Sequence, residues 1–119
     1  MKSSITSLSV ILLLLLNSCN DKKTSLVTNI SPNKQVTTKV TANRFSSVDP
    51  WKIEIRVKAY DFKEGYLALE IYADDITDQN VKFDWKDDKN CLITIEQRDG
   101  EPRKFQLLTN ANQVQLGEI

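Results

Sequence analysis

The chain contains no histidine among its 119 residues. That excludes Ser-His-Asp and Cys-His nucleophilic sites and most zinc sites, which depend on imidazole as base or ligand. Only two cysteines are present, Cys19 and Cys91. There is no excess of either charge: 16 basic residues balance 16 acidic ones, and the basic ones are scattered. No net field or basic stripe is available to track phosphates, so nucleic acid is not an expected partner. Helical periodicity and internal repeats are also missing, as is any catalytic motif. The chain therefore reads as a non-enzyme without a cofactor, long enough for one domain.

What is present starts at the N-terminus. Lys2 precedes an unbroken apolar run over residues 10–16, followed by Asn17-Ser18-Cys19. The run is too short to span about 30 Å of hydrocarbon, which takes roughly 20 helical residues. It has the length of a secretory apolar segment ending in a small residue at a cleavage site. Leu16-Asn17-Ser18-Cys19 resembles the lipobox of bacterial lipoproteins. The resemblance implies a signal peptide over residues 1–18, cleavage before Cys19, and a diacylglyceryl group on its thiol. A third acyl chain is commonly added to the new amino terminus in that family. The membrane is then a partner through Cys19, since two or three acyl chains anchor durably. Cys91 is left without a partner inside the chain, which excludes a disulfide framework. Asn20, rather than an aspartate, follows the lipid cysteine and favours the outer membrane, on its periplasmic or surface face.

Residues 19–34 read as the lipidated cysteine and a flexible polar tether containing a Ser31-Pro32-Asn33 turn signal. A domain is expected over 35–119, where the period becomes two. Trp51, Ile53, Ile55, Val57 and Ala59 alternate with polar residues, as do Leu67, Leu69 and Ile71. Val81-Phe83-Trp85, Cys91-Ile93-Ile95, Phe105-Leu107 and Val114-Leu116 repeat the pattern, and Val36 and Val40 suggest a weaker opening strand. Such alternation places one row on a core and the other in water. The expected fold is all-β: a small antiparallel, immunoglobulin-like β-sandwich of about seven strands, or a small β-barrel.

Two hairpin registers follow from side-chain matching. Pairing Tyr60 with Tyr66 sets Val57 opposite Leu69, Ile55 opposite Ile71 and Arg56 opposite Glu70. A three-residue 99–101 loop with Gly100 at positive φ opposes Ile95 to Phe105, Ile93 to Leu107, and Leu92 to Leu108.

Three groups of residues are candidate sites. Tyr60, Tyr66 and Tyr72 project from the outer face of the first hairpin, where aromatic rings can stack on sugars or anchor a protein interface. Asp74, Asp75 and Asp78 offer oxygens to calcium, but without the spacing of a dedicated loop. They share one end of the domain with Asp49, Asp99 and Glu101, and acids in turns commonly do no more than shape them. Cys91 is in phase with Ile93 and Ile95 and is expected inward, as a small core hydrophobe.

Together these readings describe a non-catalytic envelope lipoprotein that binds an envelope protein or glycan. An inhibitor or immunity-type lipoprotein acting on a hydrolase or toxin through the acidic end is the alternative. A carboxylate- or calcium-dependent hydrolase ranks third.

Overall fold

In the computed structural model, residues 22–59 and 63–119 are described; the apolar run, Cys19 and Tyr60 lie outside them. The described residues contain eight strands: β1 (Lys23–Ile30), β2 (Thr37–Arg44), β3 (Trp51–Lys58), β4 (Glu64–Ile71), β5 (Val81–Trp85), β6 (Asn90–Ile95), β7 (Arg103–Thr109) and β8 (Val114–Glu118). They form two four-stranded antiparallel sheets, ordered β1-β2-β3-β4 and β5-β6-β7-β8. The fold is an all-β sandwich, and the two separate sheets set the barrel alternative aside. Its topology is two successive meanders, without the strand exchange between sheets that an immunoglobulin-like Greek key requires.

The first sheet contains a strand where a tether was expected. β1 pairs with β2 along its whole length, from Lys23 opposite Arg44 to Ile30 opposite Thr37. The Ser31-Pro32-Asn33 signal is the turn of this hairpin. The Ser31 amide donates to the Val36 carbonyl at 2.9 Å, the Ser31 hydroxyl donates to Asn33 Oδ1 at 2.7 Å, and Lys34 takes φ 65°. The sandwich thus begins at Lys23, leaving Asn20, Asp21 and Lys22 between it and Cys19. β1 turns Ser25, Val27 and Asn29 inward and Leu26 and Ile30 outward, so its apolar residues do not mark the core face.

The cores of the other strands follow the period of two. Val40, Ile55 and Leu67 lie side by side in one inner row, and Ala42, Ile53 and Leu69 in the next. They pack on Cys91, Ile93, Ile95, Phe105 and Leu107 of the second sheet, all fully buried. Burying an aliphatic or aromatic side chain of this size contributes about 1.5–3 kcal/mol, enough in sum to hold the sheets together without a disulfide.

Both expected registers are displaced by an even number of residues. Arg56 lies opposite Tyr66, not Glu70, and Ile55 opposite Leu67, not Ile71. Ile93, not Ile95, faces Phe105; Leu92 faces Gln106 and Leu108 faces Asn90. The first displacement comes from the turn, where Ala59 donates to the Lys63 carbonyl at 2.8 Å and closes the hairpin earlier in the chain.

The sheets meet at both pairs of edges. Trp85 Nε1 donates to Asn29 Oδ1 at 2.7 Å, joining β5 to β1. At the other side a Cβ on Gly65 would lie 2.6 Å from Val114 Cγ1, so only glycine lets β4 come this close to β8. Loops 45–50, 72–80 and 96–102 gather at the upper end, where β1 begins; the other four connections turn at the lower end.

Candidate functional site

The outer face of the first sheet carries the densest arrangement of chemically active side chains. Even-numbered positions of β3 and β4 and odd-numbered positions of β2 point outward, and the ladders order them in rows. One row runs Thr28, Lys39, Arg56, Tyr66; the next, toward the lower end, runs Ile30, Thr37, Lys58, Glu64. Glu54 and Ala68 adjoin on the other side.

Glu54 ties Arg56 and Tyr66 together. The Tyr66 hydroxyl donates to Glu54 Oε1 at 3.0 Å, and Arg56 Nη2 pairs with Glu54 Oε2 at 3.3 Å. The Arg56 guanidinium lies 4.9 Å from the centre of the Tyr66 ring, within cation–π range. The hydrogen bond to Glu54 pushes the Tyr66 hydroxyl above its ordinary range, so the phenol stays protonated and donating. Its ring is half covered but still open to solvent.

Lys39 stands directly opposite Arg56 across β2 and β3. Like charges opposed on one face destabilise a sheet. Glu54 neutralises Arg56, and Lys39 has no carboxylate partner among the described residues. Both cations line a cavity of about 470 Å³ with Thr37, Lys58, Glu64 and Tyr66. The cavity therefore offers a guanidinium, ammonium groups, a phenol edge and a threonine hydroxyl, with one carboxylate at its rim. Those donors suit a carboxylate or phosphate, and the largely apolar surface between them, which includes Val57 and Gly65, suits a body with an apolar face.

The expected site residues are not brought together. Tyr66 sits in the cavity, but Tyr72 follows β4 at the upper end, about 20 Å further along an extended strand. Tyr60 is outside the described residues. The aromatic patch accordingly reduces to Tyr66 with its charged neighbours. Lys39 and Glu54 were not singled out from the sequence, and Arg56 was matched to Glu70 rather than to Tyr66. The signal available was the outward row Lys52-Glu54-Arg56-Lys58, which gains meaning only once the register places Tyr66 beside Arg56.

The acidic loops do share the upper end, where Arg98 N donates to the Tyr72 carbonyl at 2.7 Å. Three of their carboxylates serve other partners. Asp74 pairs with Arg98 at 3.0 Å, Asp75 accepts the Ile76 amide at 2.9 Å, and Asp49 accepts the Ser46 hydroxyl at 3.0 Å. Among the described residues no three His, Cys, Asp or Glu side chains converge on a point that could hold a metal ion. Asp74, Asp75 and Asp78 do not form a calcium cage.

Beneath these loops Arg44 is buried without a carboxylate. Its Nη1 donates to the Ala73 carbonyl at 3.1 Å and its Nη2 to the Asp74 carbonyl at 3.2 Å, while the guanidinium lies 4.5 Å from the Trp51 ring centre. Trp51 Nε1 also donates to Ala73 O, at 3.0 Å. This cluster fixes the 72–80 connection.

Cys91 points inward as expected and is fully buried. Desolvation pushes its thiol up to about 12, which keeps it protonated and unreactive in the folded protein. Comparison with known proteins finds no matching family, no similar curated protein and no similar solved structure.

Proposed function

We propose that the protein is a non-catalytic lipoprotein of the cell envelope, anchored through Cys19, on the outer membrane. Its sandwich captures an acidic group on an envelope protein or glycan. The observation that carries this reading is the 470 Å³ cavity on the outer face of the first sheet, where Lys39 opposes Arg56 beside the open Tyr66 ring. Glu54 already offsets the Arg56 charge, so an anion here is held chiefly by Lys39, which has no carboxylate partner among the described residues, with the remaining Arg56 donors beside it. A ligand of this chemistry gains a paired guanidinium contact and a ring edge against which a sugar or peptide can lie.

The position of the cavity supports the reading too. It lies toward the lower end, away from the start of β1 and hence from Cys19. A domain anchored at its upper end presents the cavity outward. An inhibitor acting through the acidic loops would instead engage its target at the end nearest the anchor, where a bilayer restricts access. The cavity is the better-placed surface.

The test is capture from solubilised envelope and binding to acidic and neutral glycan panels, comparing the mature chain with Lys39→Ala and Arg56→Ala. Both positions face solvent, so folding should be unaffected. Loss of at least about tenfold in affinity, equivalent to 1.4 kcal/mol, is expected in each variant. Retention of protein or glycan separates the two carriers of the acidic group. Equal capture by all three proteins overturns the assignment of this cavity.

A further inference from the structure

We infer that the upper end of the sandwich docks into the membrane surface, with Phe45 and Val48 of the β2–β3 loop entering the lipid interface. This rests on the lipoprotein reading of Cys19 and adds a second, reversible contact to the covalent anchor.

The argument starts from chain length. Cys19 and Lys23 are four residues apart, at most about 14 Å of extended chain. A lipid headgroup layer is about 5–7 Å deep on each side of the hydrocarbon. With its acyl chains in the bilayer, Cys19 therefore holds the start of β1 at the headgroups or just above them. Lys23 pairs with Arg44, and Phe45 comes next in the chain. The β2–β3 loop is thereby held within reach of the surface.

That loop is built for such a boundary. Phe45 and Val48 are 61% and 77% exposed, and neither has a place in the core. Phe45 and Val48 share this one loop, while Tyr72 and Ile119, exposed at the same end, follow β4 and β8 at the opposite edge of the sandwich. Two large apolar side chains exposed on one short loop beside the anchored strand mark a contact surface. Lys22 lies over the Phe45 ring, 5.6 Å from its centre, and Lys52 lines the shallow hollow beside Phe45 with Asn43 and Pro50. An aromatic ring flanked by lysines matches the interface, where rings sit at headgroup level and cations reach phosphates.

The acids of the same end are arranged compatibly. Asp49 is turned to the Ser46 hydroxyl within the loop. Asp74, Asp75 and Asp78 lie on loop 72–80, which passes from β4 to the second sheet. Asp99 and Glu101 lie on loop 96–102 within the second sheet, and both loops are away from β1 and the β2–β3 loop in sequence. The corner formed by the start of β1, with Lys22 and Lys23, and the adjoining β2–β3 loop, with Phe45 and Val48, is the part pressed to lipid. With that corner on the lipid, the acidic loops would stand off the anionic headgroups and the cavity at the lower end would face outward.

The experiment uses the full chain matured in a bacterial host and reconstituted on phosphatidylethanolamine/phosphatidylglycerol vesicles doped with nitroxide lipid. An environment-sensitive fluorophore is attached at Val48→Cys or, as the opposite-end control, at Lys89→Cys; buried Cys91 does not compete for label. The mass of the N-terminal peptide reports acylation of Cys19. With Cys19 acylated, the probe at position 48 should be quenched several-fold more than that at 89. Equal, weak quenching at both positions on acylated protein overturns the docking and leaves the lipoprotein reading intact. An unacylated Cys19 overturns both.

Discussion

At the upper end of the sandwich, Arg44, Trp51 and Arg98 all donate to the single carbonyl of Ala73. At the lower end, the four hairpins close with their own backbone bonds: Ser31 to Val36, Ala59 to Lys63, Lys86 to Asn90 and Asn110 to Gln113. The difference follows from what each end has to connect. A turn between neighbouring strands continues their ladder and satisfies its own polar groups. The 72–80 segment passes from one sheet to the other, has no ladder, and buries Ala73 and Ile76. Its carbonyls need donors from side chains. A buried arginine is suited to this, because its fork reaches two carbonyls while its face lies on an aromatic ring. The upper end is thus held by a few irreplaceable side chains, and the lower end by backbone geometry and close packing.

Trp51→Ala should break the upper end most severely, because it removes a fully buried ring, the support of Arg44 and one donor to Ala73. The expected loss is about 3–5 kcal/mol in urea-induced unfolding. A loss below about 1 kcal/mol would show that the 72–80 segment does not depend on this cluster. Gly65→Ala probes the lower end by contact alone, since the added methyl meets Val114. It should cost about 1–3 kcal/mol, and much of that should be recovered when Val114→Ala is added. Failure of the second change to restore stability would mean that β4 and β8 are not limited by this contact.

The smallest effect is electrostatic. Arg103 forms a two-pronged pair with Glu118, at 2.7 and 2.6 Å, and holds its carboxyl below the ordinary glutamate range. A carboxylate depressed in the folded state contributes stability above its unfolded pKa and loses it as pH falls through the folded one. Acid should therefore weaken the native protein slightly more than the Arg103→Gln variant, by less than about 1 kcal/mol because the pair is exposed to solvent. Identical acid titrations of the two would show that the pair is energetically silent.

The core was legible from residue types because period two assigns faces without knowledge of partners. Register was not, and for the same reason: a slip by an even number of residues keeps every apolar side chain on its face. Pairing Arg56 with Glu70 satisfied charge and pattern alike, yet the turn closes at Ala59 and Lys63, and Arg56 meets Tyr66 instead. The outer-face cavity went unread because its members come from three strands and become neighbours only in the correct register. β1 was hidden differently. Its inward residues include polar Ser25 and Asn29, whose side chains bond across to the Ile76 carbonyl and to Trp85. Apolar Leu26 and Ile30 face out, so hydrophobicity gives no sign of which side is the core. At the upper end, nothing in the sequence marks Arg44, because its burial depends on a segment nearly thirty residues later in the chain.

The meander order also bears on how the chain reaches this state. Each ladder joins strands adjacent in sequence, so every pairing closes a short loop at small entropic cost. Sandwiches with exchanged strands wait on distant partners and fold slowly for that reason. Here each half of the chain can assemble its own four strands as it becomes available, and the one long-range event is the docking of two preformed sheets. For an all-β protein this is a low-contact-order route, and refolding should be correspondingly fast, with the Arg44–Trp51–Ala73 junction forming last.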